Sequence, residues 1–132
     1  MNFDEFVGQV HNQIEASDTG EALSAIRATL QTLAERLRGE EAEHVAAQLP
    51  DEIGAYMRLT QENEIFDLEE FFERVRKREG VDIRDAAYHA RVVIDVLSRA
   101  LTPGELADVR GQLPDDYNPL FEAGTTGNMD TS

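Results

Sequence analysis

Residues 1–57 of the chain return in altered form as residues 66–121, and this duplication constrains the fold more than any motif does. Phe3-Asp4-Glu5-Phe6 aligns with Leu68-Glu69-Glu70-Phe71 at an offset of 65, and Gln48-Leu49-Pro50-Asp51 with Gln112-Leu113-Pro114-Asp115 at an offset of 64. The pairs Phe6/Phe71, Val10/Val75, Ala22/Ala86, Arg27/Arg91, Leu33/Leu97 and Val45/Val109 show agreement mostly at apolar and turn positions. A domain of about 60 residues has only a marginal core of its own. The two copies are therefore expected to share one core, as a single domain over residues 1–121 with repeat one at 1–57, a connector at 58–65 and repeat two at 66–121.

Helical periodicity runs through both copies. Phe3, Phe6, Val7, Val10 and Ile14 recur at the spacing of one helix face, and Leu68, Phe71, Phe72 and Val75 repeat that stripe. Asn2 with Glu5, and Asp67 with Glu70, stand at N-cap and N3 spacing, which marks both starts. A longer second helix follows in each copy, with Leu23, Ile26, Leu30, Leu33 and Leu37 in the first and Ala87, Ala90, Ile94, Leu97 and Leu101 in the second. Such a seam is that of a helix bundle.

Thr102-Pro103-Gly104-Glu105 opens a third helix with a hydroxyl cap, proline at N1 and glutamate at N3. Its counterpart starts near Gly39 or Glu40. Pro50 and Pro114 interrupt the third helices, and a short fourth helix is expected from Asp51 and from Asp115. Strand-like alternation is absent from the sequence. The expected fold is all-α, a helical bundle of two tandem pseudo-symmetric repeats of about four helical segments each, with residues 122–132 a disordered tail.

With 27 acidic residues against 12 basic ones the net charge is −15, which makes nucleic acid an unfavourable partner. Eleven of the bases are arginine and Lys77 is the one lysine. This pattern suggests a protein of a salt-in halophile, where molar salt shortens the Debye length to about 3 Å and screens carboxylate repulsion. Cysteine is absent, excluding disulfides, thiol nucleophiles and cysteine metal sites. The acidic start does not read as a signal peptide, and no apolar run approaches the roughly 20 residues that cross a bilayer. A cytoplasmic protein with no membrane association is expected.

The doubled Asp-Glu-Phe or Glu-Glu-Phe step, the long amphipathic helix, the Gly-Glu step and the two Gln-Leu-Pro-Asp turns resemble the domain-of-unknown-function family numbered 2267, over about residues 1–121. The chain reads as a haloarchaeal-like member. The resemblance implies an all-helical fold from a repeated unit, in a family found in bacteria and haloarchaea, and brings no activity to particular residues.

Candidate chemistry is sparse. Glu41-Ala42-Glu43-His44 contains a Glu-x-x-His step of the kind that supplies metal ligands in ferritin-like bundles, but Glu105 and Asp108 stand where a second such step is required. It is read as a solvated acidic face, with no metal or other cofactor. His11 and His89 have no catalytic motif around them, and His89, four residues after Asp85, is expected to pair with it. No enzyme activity is expected, because no catalytic constellation is visible.

Two sets of basic residues stand out. Arg27 and Arg91, preserved between copies, are expected to form a structural clamp with Asp51 and Asp115, within or across the copies. Arg74, Arg76, Lys77 and Arg78 make the one basic cluster, at the last turn of a helix, and are read as an interaction patch for an acidic protein partner. The expected function is therefore a non-enzymatic protein-protein interaction module. The alternative is a ligand- or metal-binding regulatory domain with a pocket between the repeats.

Overall fold

A computed structural model describes residues 1–60 and 63–126. The helices are α1 (Phe3–Ile14), α2 (Thr19–Arg36), α3 (Glu41–Ala47), α4 (Asp51–Met57), α5 (Leu68–Glu79), α6 (Ile83–Ala100), α7 (Pro103–Gly111) and α8 (Asn118–Thr126), with one 3-10 turn over Asp115–Tyr117 before α8. The described residues contain no strand, so the fold is all-α. Helices α1 and α5 both have 12 residues, and α2 and α6 both have 18, a length of about 27 Å.

The starts are fixed locally. Asn2, Asp18, Asp67, Asp82 and Thr102 each accept from the backbone N–H three residues on, and Asn2 with Glu5 forms a complete capping box. Gly80 ends α5 at φ 76°, in the left-handed region where only glycine sits without cost.

Helices α2 and α6 form the centre. They pack on each other, α1 lies against both, and α5 lies against both. Phe6, Ile26, Leu30, Leu33, Phe71, Ile94 and Leu97 are at most 1 % exposed and belong to one continuous core. At about 25 cal/mol per Å² of apolar surface, this burial is the dominant favourable term. Between Ala25 and Leu37 every residue is buried except Arg27 and Gln31. That gap in an otherwise enclosed helix positions the site.

Helix α4 packs on α2 and α8 on α6, while α3 meets α7. Two glutamines stitch the ends of the halves together. Gln48 Oε1 accepts from Thr102 N at 2.9 Å, and Gln112 Oε1 accepts from Arg38 N at 2.8 Å. The connector is also tied down, with Glu64 N donating to Glu35 O at 2.8 Å and Asn63 Nδ2 to Leu37 O at 2.6 Å.

The tail boundary is corrected: the helical backbone of α8 continues to Thr126, through Gly124, because one interior glycine costs a helix only about 1 kcal/mol relative to alanine. The remainder of the expected tail, residues 127–132, lies outside the described residues.

Candidate functional site

The one exposed strip of α2 opens onto a groove of about 440 Å³, lined by Leu23, Ser24, Arg27 and Gln31 of α2, Tyr56 of α4 and Arg78 of α5. Gly20 and Ala28 keep its wall low. The groove thus takes residues from both halves of the chain. Its ionisable cations are arginines and its lining contains no carboxylate, in a protein of net charge −15. Arg27 has no ion-pair or hydrogen-bond partner among the described residues. Arg78 is anchored, donating Nη1 to Thr32 Oγ1 at 2.8 Å and Nη2 to Glu35 Oε2. Ser24 and Gln31 add a hydroxyl and an amide, and Tyr56 an aromatic wall.

At the aligned positions of residues 66–121 the side chains differ. Tyr88 aligns in sequence with Ser24, and its hydroxyl donates to Gln13 O at 2.6 Å, bridging α6 to α1. Gln13 in turn aligns with Arg78. Arg91, the counterpart of Arg27, lies over the Phe72 ring at 5.4 Å from its centroid, where burial pulls its pKa below the ordinary arginine value. Val7 aligns with Phe72, so the first copy has no ring at that position to hold Arg27.

The expected clamp is therefore corrected. Among the described residues neither Arg27 nor Arg91 makes an ion pair with Asp51 or Asp115, within or across the copies, and Asp51 and Asp115 are exposed. An exposed guanidinium is solvated without a carboxylate, and Arg91 finds an aromatic face instead. The glutamines of the same turns, Gln48 and Gln112, are the side chains that bond across, to Thr102 and Arg38.

The basic cluster also has internal partners. Arg74 donates to Glu64 at 2.9 Å, Glu70 at 3.0 Å and Glu35 at 3.2 Å, and its guanidinium lies 3.9 Å from the Phe66 ring centroid. Arg78 shares Glu35, and Arg76 pairs with Glu73 at 3.0 Å. Glu35 on α2, with its side chain 10 % exposed, thus receives two arginines of α5. Lys77 is exposed and is the member of the cluster without a partner among the described residues.

A second cluster sits where α3 meets α7. Glu41, His44 and Glu105 each direct one ligand atom to within 4.8 Å of the others. The expected solvated face is not observed: the Glu41 side chain is 11 % exposed, and Glu105 is 8 % exposed. Burial, the adjoining Glu41 carboxyl and the Asp108 charge push the Glu105 pKa up to about 7. Glu41 and Glu105 are aligned positions, brought face to face by the packing of the halves.

His89 pairs with Glu79 rather than with Asp85, Nδ1 to Oε2, and both side chains are buried. Desolvation alone lowers a histidine pKa, yet the Glu79 hydrogen bond and charge, with Asp85 and Glu21 beyond, outweigh it and raise His89 above its ordinary value.

Sequence reasoning singled out Arg27 but missed the groove. Comparing unlike positions of the two copies, Ser24 with Tyr88 and Val7 with Phe72, is the signal that finds it. No curated protein matches the chain. The family model described as an uncharacterized conserved protein matches residues 3–120, and the chain belongs to that family, DUF2267.

Proposed function

We propose that the protein is a non-enzymatic ligand-binding domain that holds a small organic anion, bearing a carboxylate or phosphate, in the groove between its halves. The observation that supports this reading is Arg27: an unpaired guanidinium in a carboxylate-free groove on a molecule of net charge −15. Its planar fork suits bidentate recognition of a carboxylate or phosphate. Ser24 and Gln31 supply further polar groups, Tyr56 a face for the ligand's body, and Arg78 a second cation fixed by Glu35. Divergence from the aligned side chains of the second half suits a specialised role for the groove.

A protein-partner role for Arg74, Arg76, Lys77 and Arg78 has less support, because the chain's own carboxylates neutralise three of the four. We read the halves as tandem copies related by an approximate two-fold rotation. The equal helix lengths and the reciprocal Gln48 and Gln112 bonds support that relation. We also read the protein as cytoplasmic and salt-adapted, on its charge and its single lysine. Its melting midpoint is then expected to rise from low to molar NaCl, and a flat or falling midpoint removes the salt-adapted reading.

The ligand reading is tested by titrating citrate and inorganic phosphate while following arginine Nε–Hε resonances. The Arg27 signal is expected to move with at least one of them, and Arg27→Gln to abolish binding. Ser24→Tyr, which installs the residue of the second copy, is expected to block it. If neither anion moves Arg27, the reading fails.

A further inference from the structure

The junction of α3 and α7 carries the second reading, independent of the groove. Glu41 and His44 are three residues apart on α3 and so share a face, while Glu105 comes from the first turn of α7 opposite them. Two carboxylates brought this close repel, and Asp108 adds a third negative charge nearby. No lysine or arginine makes an ion pair with Glu41 or Glu105 among the described residues. His44 Nδ1 lies 4.0 Å from Glu41 Oε2 and is the one basic group in reach.

The burial is the decisive point. Glu105 is more than nine-tenths buried, and apart from a proton shared between the two facing carboxyls neither its Oε2 nor Glu41 Oε2 receives a hydrogen bond from any described residue. Buried carboxylate oxygens are ordinarily paired or bound to a cation, because an isolated buried charge is costly. Here the orphaned oxygens belong to the same cluster as an imidazole nitrogen.

We propose that Glu41, His44 and Glu105 form a binding site for a first-row divalent metal ion between the two halves of the protein. The geometry is within reach of coordination. Three atoms no more than 4.8 Å apart have a common centre at most about 2.8 Å from each, which is 4.8 Å divided by √3. Bonds of about 2.0–2.2 Å to carboxylate oxygen and imidazole nitrogen then need the side chains to close by at most about 0.6–0.8 Å. An imidazole in a mixed nitrogen and oxygen set suits zinc, manganese or cobalt rather than magnesium or calcium, which favour oxygen alone. Three protein ligands leave a position for water. Because α3 and α7 belong to different halves, the ion fastens one to the other.

Calorimetric titration of the metal-stripped full chain with ZnCl₂ and with MnCl₂, in molar NaCl to suppress loose binding to the acidic surface, tests this. One ion per chain is expected with at least one metal, at micromolar or tighter affinity. Glu105→Gln and His44→Ala are each expected to weaken it by about tenfold or more. The His44 side chain is 60 % exposed, so His44→Ala leaves the fold intact and keeps the test valid if Glu105→Gln unfolds. Absence of binding by the wild-type chain overturns the proposal. So does binding that His44→Ala leaves unchanged, which identifies the cluster as a proton-sharing carboxyl pair only.

Discussion

Tyr88 reaches across from α6 to donate its hydroxyl to the Gln13 carbonyl of α1 at 2.6 Å, whereas Ser24, the residue aligned with it in sequence, lines an open groove. Tyr88 is 39 % exposed, so this bond competes with water. Tyr88→Phe should cost about 0.5–1.5 kcal/mol, toward the lower end, read from urea unfolding. Tyr88→Ser removes ring packing as well and should cost more. Equal stability of Tyr88→Phe and wild type shows that the bridge contributes nothing.

The two arginines that meet at Glu35 predict a split within the basic cluster. Glu35→Ala strips Arg78 of its carboxylate and Arg74 of one of three, and should destabilise by about 1–3 kcal/mol, a cost expected of a charged hydrogen-bonded group in a partly enclosed site. Charge reversal at Arg76 and Lys77 should leave the melting midpoint within a few degrees, because Arg76 has only a partly exposed local pair and Lys77 has no partner among the described residues. A large drop from the second variant overturns this division of roles.

Much of the fold was legible because it is written locally. Asn2, Asp18, Asp67, Asp82 and Thr102 announce helix starts within three residues, and the stripes of α1 and α5 name their buried faces. The site was less legible because it depends on where distant side chains end up. Arg27 was visible as preserved, but a carboxylate partner was expected where the structure leaves the guanidinium free. Periodicity says which face an arginine occupies and nothing of what lies opposite. Glu41 and Glu105 failed for a related reason. Reading each helix alone showed a missing second histidine, whereas only the meeting of α3 with α7 puts the two aligned glutamates together.

Two glycines inside helices should respond with opposite signs. A Cβ on Gly54 of α4 meets the Ala46 carbonyl oxygen at 2.8 Å, a backbone atom that cannot turn aside, so Gly54→Ala should force α3 and α4 apart and cost about 1–3 kcal/mol. A Cβ on Gly8 of α1 meets nothing within 4 Å. Gly8→Ala should therefore stabilise by about 0.5–1 kcal/mol, the ordinary gain in a helix interior. Denaturant midpoints of the two variants decide, and a gain at Gly54 removes the claim that α4 is seated by backbone contact.

The buried pair of His89 and Glu79 should make stability depend on pH in a known direction. Burial by itself disfavours the imidazolium, but the Glu79 hydrogen bond and charge, with Asp85 and Glu21, prevail and raise the folded pKa above the unfolded value of about 6.5. The charged form is then favoured by folding. Its contribution is present in full below the unfolded pKa and is lost as pH rises through the higher folded pKa. Melting midpoints should accordingly fall as pH rises above about 6.5, the unfolded value. His89→Gln keeps polar character without a titrating proton and should flatten the fall, while lowering stability at the acidic end of the window. Glu105, pushed up to about 7, loses its proton in part of the same window, so the His89 contribution is the difference in slope between wild type and His89→Gln. A slope unchanged in His89→Gln would show that the proton lost in this window belongs to another group.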